Sequence, residues 1–102
     1  MVTLKNLFGV EFHFELYRFG DVYPAVSGVY AVLREVKGGY NIGYIGEAGD
    51  VRTRHANHEH HDDFVDFGAT HLGVHAVLGE VKRKDIEAQL IAKYDLPINK
   101  KK

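Results

Sequence analysis

Residues 27–46, SGVYAVLREVKGGYNIGYIG, decide how this chain folds. Val29, Ala31 and Leu33 alternate with Tyr30, Val32 and Arg34, the period-2 pattern of a half-buried strand. Lys37-Gly38-Gly39 is a turn signal, because glycine reaches the positive φ that tight hairpin loops need. Tyr40, Ile42 and Tyr44 then alternate with Asn41, Gly43 and Ile45. The stretch predicts two antiparallel strands folded back on each other.

The sequence on either side extends this hairpin. Upstream, Val10, Phe12, Phe14 and Leu16 alternate with Glu11, His13, Glu15 and Tyr17 in an amphipathic strand. Gly9 and Gly20-Asp21 bound it within an N-terminal extension, residues 2–19. Its expected place is an added edge strand, or the contact surface of a dimer. A loop from Asp21 to Ser27, with Pro24 biasing Tyr23 towards extended geometry, leads into the hairpin.

Downstream, Asp50 is a good N-cap, because its carboxylate can accept from the free amides of a first helical turn. The helix expected there runs from about Val51 to His58. Arg54 and His58, four apart, share a face, and Arg52 points elsewhere. The run His58-Glu59-His60-His61-Asp62-Asp63 reads as a solvated polar loop. Its rival is a metal-trapping site built from His55 to His61. Leu72, Val74, Ala76 and Leu78 alternate with His71, Gly73, His75 and Val77, a third strand whose histidine face should be polar and partly wet. A last helix, about Val81 to Asp95, carries an apolar stripe of Ile86, Leu90 and Tyr94, widened by Ala88 and Ile91. Leu96-Pro97 stops it. The expected fold is α+β: a small antiparallel sheet of three central strands plus an N-terminal edge strand, flanked by helices, in one domain spanning 1–102.

Composition narrows the function. With 102 residues, 45% apolar and 26% charged, the chain is an ordinary globular length and composition. It has no cysteine, so disulfides and thiolate-bound zinc are excluded. No stretch is long or apolar enough to span a bilayer and no signal-peptide pattern opens the chain, so a cytoplasmic setting is expected. The net charge of −1 is uneven: Glu47 to Asp66 holds six acids against two arginines, and Gly79 to the end seven bases against four acids. A basic C-terminal third could face nucleic acid. The acidic middle works against strong non-specific DNA affinity.

Gly28-Val29-Tyr30 followed by Tyr44-Ile45-Gly46 resembles the pair of tripeptides that names the GIY-YIG nucleases. Asp50, Val51, Arg54 and His58 are similar to that family's helix after the second tripeptide. Glu87, Pro97 and Asn99 are similar to its last signature, a helical glutamate followed by apolar residues, proline and asparagine. The resemblance covers Ser27 to Asn99. It implies a divalent-metal-dependent endonuclease that hydrolyses phosphodiester bonds in DNA.

Such hydrolysis needs a base for water, a stabiliser for the phosphorane charge and a counter-charge for the leaving oxygen. Arginine suits the second task, because its planar fork matches phosphate oxygens and keeps its charge, which makes Arg54 the candidate. The resemblance implies that Glu87 holds Mg²⁺ or Mn²⁺, an ion that retains several waters and takes few protein ligands. It points to Tyr30 or Tyr44 as base, the other positioning water or phosphate. A tyrosine needs nearby positive charge for that role. His58 is a conventional base or relay. Asn99 is expected to tie the tail to the site. Glu47 departs from the family by placing an acid near the phosphate, and no added DNA-binding domain is present. Dimerisation or a partner protein would then supply specificity. Two other readings remain: a module of the same fold that holds nucleic acid without cutting it, and a His-rich metal-binding protein.

One geometric condition follows. Tyr30 and Tyr44 share a site only if they lie on one sheet face. A two-residue turn with uninterrupted pairing would put them on opposite faces, since a one-residue slip reverses every side chain. An odd-residue loop or a bulge is therefore expected.

Overall fold

The computed structural model describes residues 1–100. Its elements in chain order are β1 (Val2–Lys5), β2 (Glu11–Arg18), β3 (Gly28–Val36), β4 (Gly39–Ala48), α1 (Val51–Ala56), α2 (His61–Phe67), β5 (His71–Ala76) and α3 (Glu80–Lys93). The five strands form one antiparallel sheet in the order β1-β2-β5-β3-β4. The α+β class expected from the sequence is the class observed. Among the described residues no helix is long and apolar enough to cross a membrane.

The N-terminal extension is a hairpin rather than a single edge strand. β2 pairs with β1 on one side and β5 on the other, so β1 is the edge. Asn6 makes the turn: its buried side-chain oxygen accepts from the amides of Phe8 and Val10, both at 2.9 Å. Gly9, at φ +83°, completes it. Local capping of this kind competes with strand pairing and ends β1 after four residues.

Helices cover both faces of the sheet. α3 lies on one, where Ile86 and Leu90 pack against Val29, Ala31, Leu33, Ile45 and Phe14. α1 and α2 lie on the other, where Val51 and Phe64 pack against Tyr30, Val32, Leu72 and Val74. Residues 29–33 of β3 are therefore buried on both sides, at 1% exposure or less. This corrects the half-buried reading of that strand, because Tyr30 and Val32 form a second core.

Two glycines let the strands close up. A Cβ on Gly28 would sit 2.4 Å from the His75 carbonyl oxygen, and one on Gly73 would meet Phe14 Cβ at 3.1 Å. His71 and His75 lie half-buried at the margin of the α3-side core, packed on Tyr40 and on Phe12 and Phe14 respectively. That face is partly wet as expected, but aromatic rather than polar. β5 ends at Ala76, and Leu78 is exposed beyond it.

The helices differ from expectation in the middle of the chain. α1 stops at Ala56, with Asp50 Oδ1 capping Thr53 N–H at 3.1 Å as its residue type predicts. The polar run that follows is not a solvated loop throughout, because its second half, His61 to Asp63, opens α2 and His58 is buried. Phe64 drives that short helix by full burial. Asp62 and Asp63 complement its N-terminal dipole, and Gly68, at φ +83°, closes it. α3 matches its predicted span within two residues. Tyr94 lies just past its end and accepts a 2.8 Å hydrogen bond from Lys5 N–H, tying α3 to the edge strand.

Candidate active site

The site begins with the register of β3 and β4. Their turn is the two-residue Lys37-Gly38, with Gly38 at φ +86° and Val36 opposite Gly39. Pairing runs evenly to Leu33 opposite Ile42, then shifts, and Val32 faces Tyr44. Gly43 is the extra residue of a β-bulge. The condition on the two tyrosines is met by a bulge and not by a longer loop. Without it Tyr44 would oppose Ala31 and face α3. Crowding favours glycine at the bulge, since a Cβ there would stand 2.9 Å from the Phe67 ring. The Gly43 carbonyl accepts from Ile98 N–H at 3.0 Å, so the C-terminal tail docks at the same point.

Beyond the bulge, Tyr30 opposes Gly46, and its ring stacks on that of Tyr44 at 6.2 Å and 26°. A Cβ on residue 46 would be 2.5 Å from the Tyr30 hydroxyl oxygen. The last glycine of the second tripeptide is the space that the tyrosine of the first one fills.

His58 sits beyond the end of α1, not on it, and is only 6% exposed. Its Nδ1 accepts from His60 N–H at 3.0 Å. In the neutral ring the hydrogen is then on Nε2, which lies 2.8 Å from the Tyr30 oxygen and donates to it. Burial first, then the charge of Arg54, pushes His58 down to about 3. The same causes hold His55 at about 4. In this tautomer His58 is a neutral donor whose one lone pair is already engaged by a backbone amide, an arrangement that suits the relay side of its expected role, base or relay, more than the base side.

The tyrosines respond to the same surroundings. Tyr30 is fully buried, and burial, followed by Tyr44, holds its hydroxyl far above the ordinary tyrosine value while Arg54 pulls it back. Tyr44 is half-buried and is also raised by burial; Arg54 and a hydrogen bond from Tyr30 oppose that rise. A directed chain results: His60 N–H to His58, and His58 to Tyr30, whose ring stacks on Tyr44. Tyr44 is the more exposed of the two tyrosines. Arg54, on α1, rests 3.2 Å from exposed Glu59 and is partly open to solvent.

Glu87 stands on α3, which packs on the opposite face of the sheet from the tyrosines, and acts on them through its charge. It is half-buried, and burial first and Glu47 second raise its carboxyl above the usual range; Lys84 and a backbone hydrogen bond at Glu47 oppose this. Glu47 is less adverse than its position in the sequence suggests, because Arg83 Nε holds it at 3.0 Å while Arg83 NH1 donates to Ser27 Oγ at 3.0 Å. Sequence reasoning missed Arg83. Its signal was its place one helical turn before Glu87.

Asn99 pairs with the open edge of β4. Its Oδ1 accepts from Ile45 N–H at 2.8 Å and its Nδ2 donates to Ile45 C=O at 2.9 Å. It is a clamp on the backbone between Tyr44 and Gly46, as the expected tie of the tail to the site requires. Arg52 turns away, its Nε donating to the Tyr23 carbonyl at 2.6 Å. The His55–His61 run does not converge. His55 packs edge-on against Tyr30 at 4.5 Å, His60 bonds Asp63 at 3.0 Å, and His61 lies against Phe19. Among the described residues no three His, Asp or Glu side chains are placed to hold a metal ion together.

Comparison of the chain with family models, with curated proteins and with solved structures gave no match.

Proposed function

We propose that this chain is a divalent-metal-dependent endonuclease of the GIY-YIG type, acting on phosphodiester bonds of DNA in the cytoplasm. The observation that carries the reading is the bulge at Gly43, which sets Tyr30 and Tyr44 on one face, stacked on each other, with Tyr30 hydrogen-bonded to His58 and both within the field of Arg54. Two stacked tyrosines, a buried donor histidine and a helical arginine exceed what packing alone asks of this corner.

In this reading Tyr44 accepts the proton of the attacking water, since it is the more exposed of the two tyrosines. Its phenolate gains from the Tyr30 hydroxyl and from Arg54. His58 is a positioning residue that fixes the Tyr30 oxygen. Arg54 offers its fork to the two free oxygens of the phosphodiester, exchanging exposed Glu59 for a group whose negative charge grows from one to two as the deprotonated water adds. The half-buried Glu87 fits a hydrated Mg²⁺ or Mn²⁺, because a carboxylate raised by burial first and by Glu47 second gains from a cation. When bound, the ion supplies counter-charge to the leaving oxygen.

The test pairs two measurements on Glu87→Gln: DNA binding by fluorescence anisotropy and single-turnover cleavage, at fixed salt across a Mg²⁺ titration. Binding survives or tightens, because a negative charge near phosphate is gone. Cleavage falls by several orders of magnitude. A variant that cuts with the parent's Mg²⁺ dependence removes the metal assignment. One observation favours a module that binds without cutting: burial raises both tyrosines, so neither is ionised at neutral pH. A parent that binds DNA and cuts no form of it would establish that second reading.

A further inference from the structure

A cleft of about 290 Å³ opens beside the tyrosines, between the β2–β3 loop and α1. Phe19, Asp21, Tyr23, Arg52, His55 and His61 line it. None belongs to the set argued above. His55 is the shared wall: its ring is 4.5 Å from Tyr30 on one side and 5.4 Å from Tyr23 on the other. Whatever fills the cleft therefore stands one ring away from the tyrosine pair.

The lining selects the ligand. Phe19 and His61 stack with their rings 19° apart at 6.2 Å, so one side of the cleft is aromatic. Arg52 contributes a cation whose terminal nitrogens have no protein partner among the described residues. Asp21, whose Oδ1 accepts from Val22 N–H at 2.8 Å, places an acid in the same space and disfavours a phosphate there. A flat, neutral group with polar edges satisfies all three. The volume is near the lower limit of small-ligand sites, enough for one heterocycle. The walls are set in advance: Tyr23 accepts from Gly20 N–H at 2.6 Å, and Arg52 holds the Tyr23 carbonyl. A braced cleft loses little order on binding.

We propose that this cleft is a subsite for one unpaired nucleobase, flanking the phosphate that the Tyr30–Tyr44 pair addresses. The placement rests on the nuclease reading; the base subsite itself rests on the cleft. Its consequence is a preference for substrates with a single-stranded segment, since a paired base is not free to turn into it.

The test measures binding of single-stranded oligonucleotides by anisotropy in EDTA, with one abasic residue moved stepwise along the strand. One position is expected to cost the parent about 10-fold in affinity or more, the scale of a lost base–aromatic stack. In His61→Ala, an exposed position, that penalty shrinks to within about 2-fold of the other positions, as double-mutant coupling requires. Phe19→Ala, checked for folding by circular dichroism, shrinks it likewise. A penalty equal at every position, one unchanged in both variants, or no binding of single strands overturns the proposal. Cleavage with Mg²⁺ is scored separately. Cutting without a positional penalty leaves the nuclease reading and removes the subsite; a positional penalty without cutting does the reverse.

Discussion

Acid should unfold this domain early, because two histidines are held neutral inside it. An ordinary histidine titrates near 6.5, while burial and Arg54 set His58 at about 3 and His55 at about 4. Below pH 6.5 the unfolded chain takes up protons that the fold refuses, so the stability these two groups give is complete above 6.5 and is lost as pH falls towards their folded values. Each costs about 1.4 kcal/mol per pH unit in that window. Down to pH 5 this amounts to roughly 2 kcal/mol per ring, with a ceiling of about 4 kcal/mol for both. Glu87 has the opposite sign, since its raised carboxyl favours the fold as pH falls, but only near the carboxylate range. Against a typical total of about 5–15 kcal/mol the histidine effect is large. Urea denaturation followed by circular dichroism at pH 7.5, 6.5, 5.5 and 5.0 reads it directly. With an m-value of about 1–3 kcal/mol per M, the ceiling corresponds to a fall in the midpoint of roughly 1–4 M across the series. His58→Asn should be less stable than the parent at pH 7.5 and lose less on acidification. A parental midpoint that stays constant, or rises, between pH 7 and 5 would refute the buried-neutral assignment.

Three further outcomes test the site's construction. Gly46→Ala drives a methyl into the Tyr30 hydroxyl, so the chain should lose about 1–3 kcal/mol in denaturant and most of its cleavage; parental stability would mean that Tyr30 has room to move. Asn99→Ala strips Ile45 of both partners on an open edge and should cost about 1–2 kcal/mol, read as a thermal-melt shift that Asn99→Asp only partly restores, since the carboxylate lacks the donor for Ile45 C=O. Arg54→Lys should leave the melting temperature within a few degrees and abolish most cleavage, because lysine keeps charge without the fork. Rates within a few-fold of the parent would reduce Arg54 to a surface charge.

The sequence by itself determined the elements whose signals are local. Alternation at residues 29–34 and 71–78, the Asp50 cap and the stripe of α3 are each written within a few residues, and each marks an observed element, although β5 and α1 both end two residues earlier than expected. The motif residues were legible as a set for the same reason. Tertiary structure decided the rest. That β5 slides between β2 and β3, with β1 outermost, depends on long-range pairing that no local pattern encodes. α2 was hidden because a single buried phenylalanine, not an apolar stripe, holds it against the sheet. The shared face of Tyr30 and Tyr44 required one bulge, and the sequence could state that need without placing it: the extra residue sits at Gly43, where Phe67 and the tail's Ile98 crowd the strand. The protonation of His58 was the least legible of all. An imidazole's charge is set by burial and by which of its nitrogens a backbone amide engages, and both exist only after the chain has folded around it.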